Sequence, residues 1–144
     1  MLAFDRPAYI VLPPPISTNA LFRNVEKVGR VKSTPYKEWL AVVDQYLRAQ
    51  PHLPRFLQPV GITLYTGEKD VGNMDSDNVA KAYIDTLKRA GVIKDDSRKY
   101  VRSSRAVWVQ GMRSCVVEIK PDPPAPSLQA ILQRVPAGLH ALLK

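Results

Sequence analysis

Asp70, Asp75, Asp77, Asp85, Asp95 and Asp96 are six of the thirteen acidic residues in a chain of formal net charge +8, and all six fall within residues 70–96. A basic protein ordinarily scatters its acids among its lysines and arginines, so a cluster must be neutralised by something. Three carboxylates about 5 Å apart repel one another by about 3 kcal/mol per pair at an effective dielectric of about 20. Such a group either raises its pKa values or binds a cation. Ligands of oxygen alone suit Mg2+ or Mn2+, which also take up phosphate oxygens. In a basic protein this chemistry points to phosphodiester hydrolysis, with the metal activating water and stabilising charge on the scissile phosphate.

The elements around these residues must bring them together. Ala80, Tyr83, Ile84 and Leu87 form an i, i+3, i+4, i+7 apolar face, which predicts a helix over 78–90 with Gly91 as its stop. Asp77, Lys81, Asp85 and Lys88 border that face, and Asp77 is placed to cap the helix. If 75–77 are extended, Asp75 and Asp77 point to the same side, and the chain after Gly91 can return Asp95 and Asp96 toward them. Plainer readings exist beside this one. Asp77 and Asp85 each lie four residues from Lys81, as a solvated charge ladder requires, and Asp95 and Asp96 suit a turn. A calcium loop starting at Asn73 fails, because Asn78 stands at its glycine position and Ile84 at its bidentate glutamate.

The 144 residues fit one domain with a real core, and 45% hydrophobic with 24% charged residues is ordinary for a globular protein. A pI near 9.8 suggests a polyanionic partner, with nucleic acid ahead of an acidic membrane surface. No apolar run is long enough for a membrane span, and residues 1–15 lack the basic and apolar regions of a signal peptide. Cys115 is the single cysteine, which fits a reducing intracellular setting, and with only His52 and His140 beside it argues against structural zinc.

Along the chain, residues 9–15 read as a strand halted by prolines, and 17–33 as a polar, basic loop. Tyr36, Trp39, Leu40, Val43 and Leu47 follow helical spacing after Ser33, Thr34 and Pro35. Residues 60–67 alternate as a strand, and 100–109 and 114–120 read as two strands of a hairpin turning at residues 110–113. Residues 1–120 then form the domain, and 121–144 a proline-rich linker with a short helix bearing Leu128, Ile131, Leu132 and Val135 on one face. The expected fold is α/β-mixed (α+β): one small mixed sheet of about four strands packed by two helices, in the order β-α-β-α-β-β, plus a C-terminal helical tail.

The central pattern resembles the RusA family of Holliday-junction resolvases, small nucleases common in bacteria and phages. That family's D-x-D-N-x-x-K, a later Asp and Leu on the same helix, then Gly and a DD pair, match Asp75, Asp77, Asn78, Lys81, Asp85, Leu87, Gly91, Asp95 and Asp96. Its opening L-P-x-P-x-S-x-N and following basic residue match Leu12, Pro13, Pro15, Ser17, Asn19 and Arg23, so the resemblance spans about residues 9–120. It implies metal ligation by Asp75, Asp77 and Asp96, Lys81 as an essential cation beside them, and Asn78, Asp85 and Asp95 in support. It further implies a cytoplasmic homodimer that nicks opposed strands of a four-way DNA junction with Mg2+, Mn2+ being able to substitute, in recombination, repair or phage DNA processing. A two-fold dimer suits a two-fold substrate. Residues 67–74 are mixed in charge where some relatives carry an arginine run, and residues 121–144 extend beyond the matched region, where a protein partner for the tail is left open.

Two basic groups flank the acids: Arg23, Lys27, Arg30 and Lys32, with Asn19 before them, and Arg98, Lys99, Arg102 and Arg105 after the DD pair. They can grip phosphates, or simply form a solvated face. Phe22 and Tyr36 pack or wedge into a junction; Trp39 and Trp108 read as core, and Cys115 as a small buried hydrophobe. Alternative functions are a flap or broader branched-DNA nuclease, and a DNA-binding regulator that does not cleave.

Overall fold

In the computed structural model, which describes residues 6–143, the first long helix begins where local chemistry says it should. Ser33 has an extended backbone, and its hydroxyl oxygen accepts from the Tyr36 N–H at 3.1 Å, with Pro35 in the first turn of α1 (Thr34–Arg48). The same hydroxyl donates to the Ala20 carbonyl. The stretch read for a signal sequence lies partly outside the described residues, as does Lys144 of the tail.

The remaining strands are β1 (Ala8–Leu12), β2 (Phe22–Val25), β3 (Gly29–Lys32), β4 (Val60–Gly67), β5 (Val101–Val109) and β6 (Cys115–Pro121). The second long helix is α2 (Ala80–Arg89), and the tail carries α3 (Leu128–Leu132) followed by a 3-10 turn, Ala137–Leu143. The fold is the expected α/β-mixed (α+β) one, with a four-stranded mixed sheet in the order β1-β6-β4-β5. Val60, Ile62 and Leu64 alternate inward from β4 and meet Val117 and Ile119 of β6, Ile10 and Leu12 of β1, and Val43, Tyr83 and Leu87 of the helices. All ten are buried, so both helices cover one face of one sheet. The Tyr83 hydroxyl donates to the Pro13 carbonyl at 2.7 Å, tying α2 to the segment that leaves β1.

Three expectations are corrected. Residues 17–33 are not a plain loop: β2 and β3 form an antiparallel ribbon of their own, turning through Lys27 at φ 64° and Gly29 at φ 97°. Its root is fixed by Leu21, which is buried with Tyr36, Leu40 and Ala82. Second, β5 and β6 are not a hairpin. β4 lies between them, parallel to β5 and antiparallel to β6, and the connection at 110–114 crosses over the end of β4. The Gly67 N–H donates to the Ser114 carbonyl at 2.9 Å there, and a Cβ on Gly67 would collide with the Met112 carbonyl. Third, α2 starts at Ala80 rather than 78. Val79 is fully buried, and folding it inward puts a 3-10 turn, Ser76–Asn78, ahead of the helix.

At the other end of α2 the reading holds. Gly91 adopts φ 77°, and the Val92 N–H donates to the Leu87 carbonyl, closing the helix. β6 runs one residue past the expected domain boundary, pairing Pro121 with Val60.

Candidate functional site

β4 delivers the chain to the acidic turn through residues 68–74, a loop shaped by Asp70 at φ 64° and Gly72 at φ 71°. Asp75 is extended, and its carbonyl accepts from the Asn78 N–H at 3.0 Å. Asp77 therefore lies inside a 3-10 turn. It does not alternate with Asp75 along a strand, and it does not cap α2, which begins without a side-chain cap. Asp75 and Asp77 are exposed, and Asn78 is half-buried.

The six acids divide into two kinds. Asp70 pairs with Arg113 at 3.0 Å, and Asp85 with Lys81 at 3.1 Å. Lys88 takes both members of the DD pair, Asp95 at 3.1 Å and Asp96 at 3.6 Å. The hydrogen bond from Lys88 is the first cause holding the Asp95 carboxyl below its ordinary value, and the same bond raises Lys88. Asp75 and Asp77 are the two that no cation of the described residues neutralises.

Among the described residues, no three His, Cys, Asp or Glu side chains gather into a group able to hold a metal. Asp96 is thus not joined to Asp75 and Asp77; Lys88, in the last turn of α2, claims it. The expected ligand set is not assembled in this arrangement, while Lys81 and Asp85 form the helical pair that their spacing implies.

The basic residues lie on two elements. Arg23, Lys27, Arg30 and Lys32 are exposed on the β2–β3 ribbon, whose tip presents Val28 at 70% exposure. The Arg30 guanidinium stacks 4.1 Å over Phe22, Phe22 meets Tyr36 edge-on at 5.7 Å, and Lys32 sits 5.8 Å over Tyr36. Asn19, Phe22, Arg23, Asn24 and Arg30 line an open cleft of about 450 Å³. Burial is the first cause raising the Tyr36 hydroxyl, with Asp85 adding to it and Arg89 opposing, so the aromatic root of the ribbon faces the Asp85 side of α2.

Arg98 and Lys99 are exposed on the turn just before β5, and Arg102 and Arg105 on β5 itself, an edge strand. An irregularity between Val60 and Gly61 leaves Arg102 without a partner in the register, while Arg105 aligns with Thr63 on the face away from the helices. Arg102 donates to the Arg98 carbonyl at 3.1 Å, and Lys94 and Lys99 each lie 5.4 Å from the Tyr100 ring centre.

Sequence reasoning placed Trp39 correctly against the core but misplaced Trp108. Trp108 is half-buried at the end of β5, and its indole N–H donates to the Ser76 hydroxyl oxygen at 2.9 Å, beside the acidic turn. Its apolar neighbours in sequence conceal this, and only the parallel register with β4 brings it there. The role of Lys88 was equally hidden, since its partners come from a loop beyond the helix stop. No family model matches the chain, and no curated protein matches it at a significant level.

Proposed function

We propose that the protein is a metal-dependent endodeoxyribonuclease of branched DNA, acting on four-way junctions by paired nicks. The observation carrying this reading is the state of Asp75 and Asp77. They are exposed and uncompensated in a chain of net charge +8, on the turn leading into the helix that also seats the basic ribbon. A basic protein that neutralises four of its clustered acids internally and leaves two adjacent ones open retains a place for a cation or a polarised water.

The chain's own residues supply the rest. The ribbon arginines and lysines and the β5 group hold backbone phosphates by charge. Lys81, half-exposed and oriented by Asp85 in the first turn of the helix that follows Asp77, offers an ammonium that can stabilise negative charge developing on a phosphate. Mg2+ is the proposed cofactor, with Mn2+ able to substitute; calorimetric titration reads whether a ligand set forms. A symmetric homodimer, presenting one site to each of two equivalent strands, belongs to the same proposal. So does a cytoplasmic setting, and no helix among the described residues is long and apolar enough to cross a membrane.

The deciding experiment compares cleavage of a four-way junction, a flap, a fork and linear duplex with Mg2+. Two symmetric nicks confined to the junction support the reading; equal cutting of all branched forms supports the broader nuclease. The hold of Lys88 on Asp96 favours a second reading, a DNA-binding regulator on the same scaffold. It expects tight junction binding and no cleavage with either metal.

A further inference from the structure

Beside the acidic turn lies a cleft of about 270 Å³, lined by Glu68, Val71, Gly72, Asn73, Met74 and Trp108. We propose that it receives an unpaired nucleobase, stacked on Trp108, and so places the attached phosphate at Asp75 and Asp77. This inference rests on the nucleic-acid reading above and adds a specificity site to it.

The cleft is held in shape by the protein's own hydrogen bonds before any ligand arrives. Trp108 is anchored by its N–H bond to Ser76, which fixes the plane of the ring against the acidic turn. The start of the lining loop is pinned to the β5–β6 crossing: Glu68 N–H donates to the Val109 carbonyl at 3.1 Å, and the next residue's N–H, that of Lys69, to the Met112 carbonyl at 3.2 Å. The Arg113–Asp70 pair holds the loop from outside. A preformed aromatic wall loses little freedom on binding, which favours a flat, rigid guest.

The lining selects the guest. Val71, Met74 and Trp108 offer apolar and aromatic surface, while Glu68 can accept from an amino group and Asn73 can both donate and accept. The one charged group in the lining is a carboxylate, which repels phosphate, so the part of a nucleotide suited to the cleft is the base. Met74 is followed directly by Asp75, so a base in the cleft leaves its sugar-phosphate beside the open carboxylates. Bases in duplex DNA are stacked and paired, whereas those in single strands and at branch points are free to enter. The cleft therefore gives a preference for unpaired DNA without reading the four-way shape itself.

The test uses the full chain with Asp75→Asn and Asp77→Asn, labelled with 5-fluorotryptophan, in EDTA, so that no cleavage occurs and no bare carboxylate pair repels the phosphate. Trp39 and Trp108 give two fluorine resonances, assigned with Trp108→Phe. A short single-stranded oligonucleotide should move the Trp108 resonance and leave that of Trp39 in place, while a blunt duplex of equal length binds without moving Trp108. In anisotropy titrations Trp108→Ala should weaken single-strand affinity about ten-fold and spare duplex affinity, with Trp108→Phe retaining most of the binding. If the oligonucleotide binds and Trp108 stays unmoved, or if duplex moves it equally, the cleft assignment is overturned and the nucleic-acid reading stands. If no DNA of any form binds, the nucleic-acid reading falls and takes the cleft with it.

Discussion

The ammonium of Lys88 lies 3.1 Å from the carboxylate of Asp95, and the same nitrogen reaches Asp96. One cation from the end of a helix thus holds two acids from the loop that follows it. Asp95 is held below its ordinary value of 3.8, so its contribution to stability is present above that pH and lost as the pH falls through the lowered folded value. Lys88 is raised above 10.5, so its contribution is present below that pH and lost as the pH rises through the raised folded value. Lys88→Met should remove the alkaline limb from a melting-temperature profile against pH and shrink the acid limb, part of which remains because hydrogen bonds from Asp96 also lower Asp95. It also frees Asp96, so calorimetry should show several-fold tighter Mg2+ binding than wild type. Unchanged metal affinity would mean that Asp96 has no part in a ligand set.

Asp75→Asn and Asp77→Asn should abolish cleavage while keeping or improving junction affinity, because the basic residues lie on other elements. Affinity should still fall steeply with salt in a gel-shift titration. Neither acid has a cation partner to lose and neither caps a helix, so both metal-free variants should melt at or slightly above the wild-type temperature. Asp85→Asn breaks the Lys81 pair and should melt slightly lower. Mg2+ should raise the wild-type melting temperature by linkage and that of Asp75→Asn or Asp77→Asn much less. Two variants melting several degrees low, with no response of wild type to metal, would rule out a metal site at this turn.

Cys115 is fully buried between β1 and β4, and burial pushes its thiol up to about 12. The thiolate is the reactive form, so at pH 8 only about one part in ten thousand is available. A disulfide reagent followed by absorbance should label the native protein slowly and completely only in denaturant. Rapid labelling without denaturant would show that the sheet opens at β6.

Gly67→Ala should destabilise the protein by about 3 kcal/mol in urea unfolding, since the added Cβ meets backbone rather than a movable side chain. Gly111→Ala is its control. Gly111 has φ 78° but open space around it, so only backbone strain is incurred, about 1 kcal/mol. Equal effects at the two positions would contradict the crossing over β4.

What the sequence made legible was local. Ser33 and Pro35 begin α1, Gly91 ends α2, and the alternation of Val60, Ile62 and Leu64 marks β4, because each rests on neighbours a few residues away. What stayed hidden depends on distant parts of the chain. The ribbon is set by Leu21 against Ala82, a contact invisible among the charges between them in sequence. Five residues between β5 and β6 suit a hairpin by length, yet β4 takes the place between them, its inward residues flanked on both sides. At the candidate site the acids were visible as a cluster, but which of them remain open was not. That sorting is done by Arg113, Lys81 and Lys88, and only one of the three acts at a helical spacing.

The strand order also has a consequence for synthesis. β1 pairs only with β6 in the four-stranded sheet, Ala8 standing opposite Ile119, and β6 separates it from β4. On a ribosome, β1, both long helices, β4 and β5 emerge before the strand that joins β1 to the rest. Until Pro121 has cleared the exit tunnel, Ile10 and Leu12 lack their sheet partner and one side of β4 is an unpaired edge. The nascent chain must wait in that half-built form, so holdase chaperones should engage it late in translation and release it when β6 inserts.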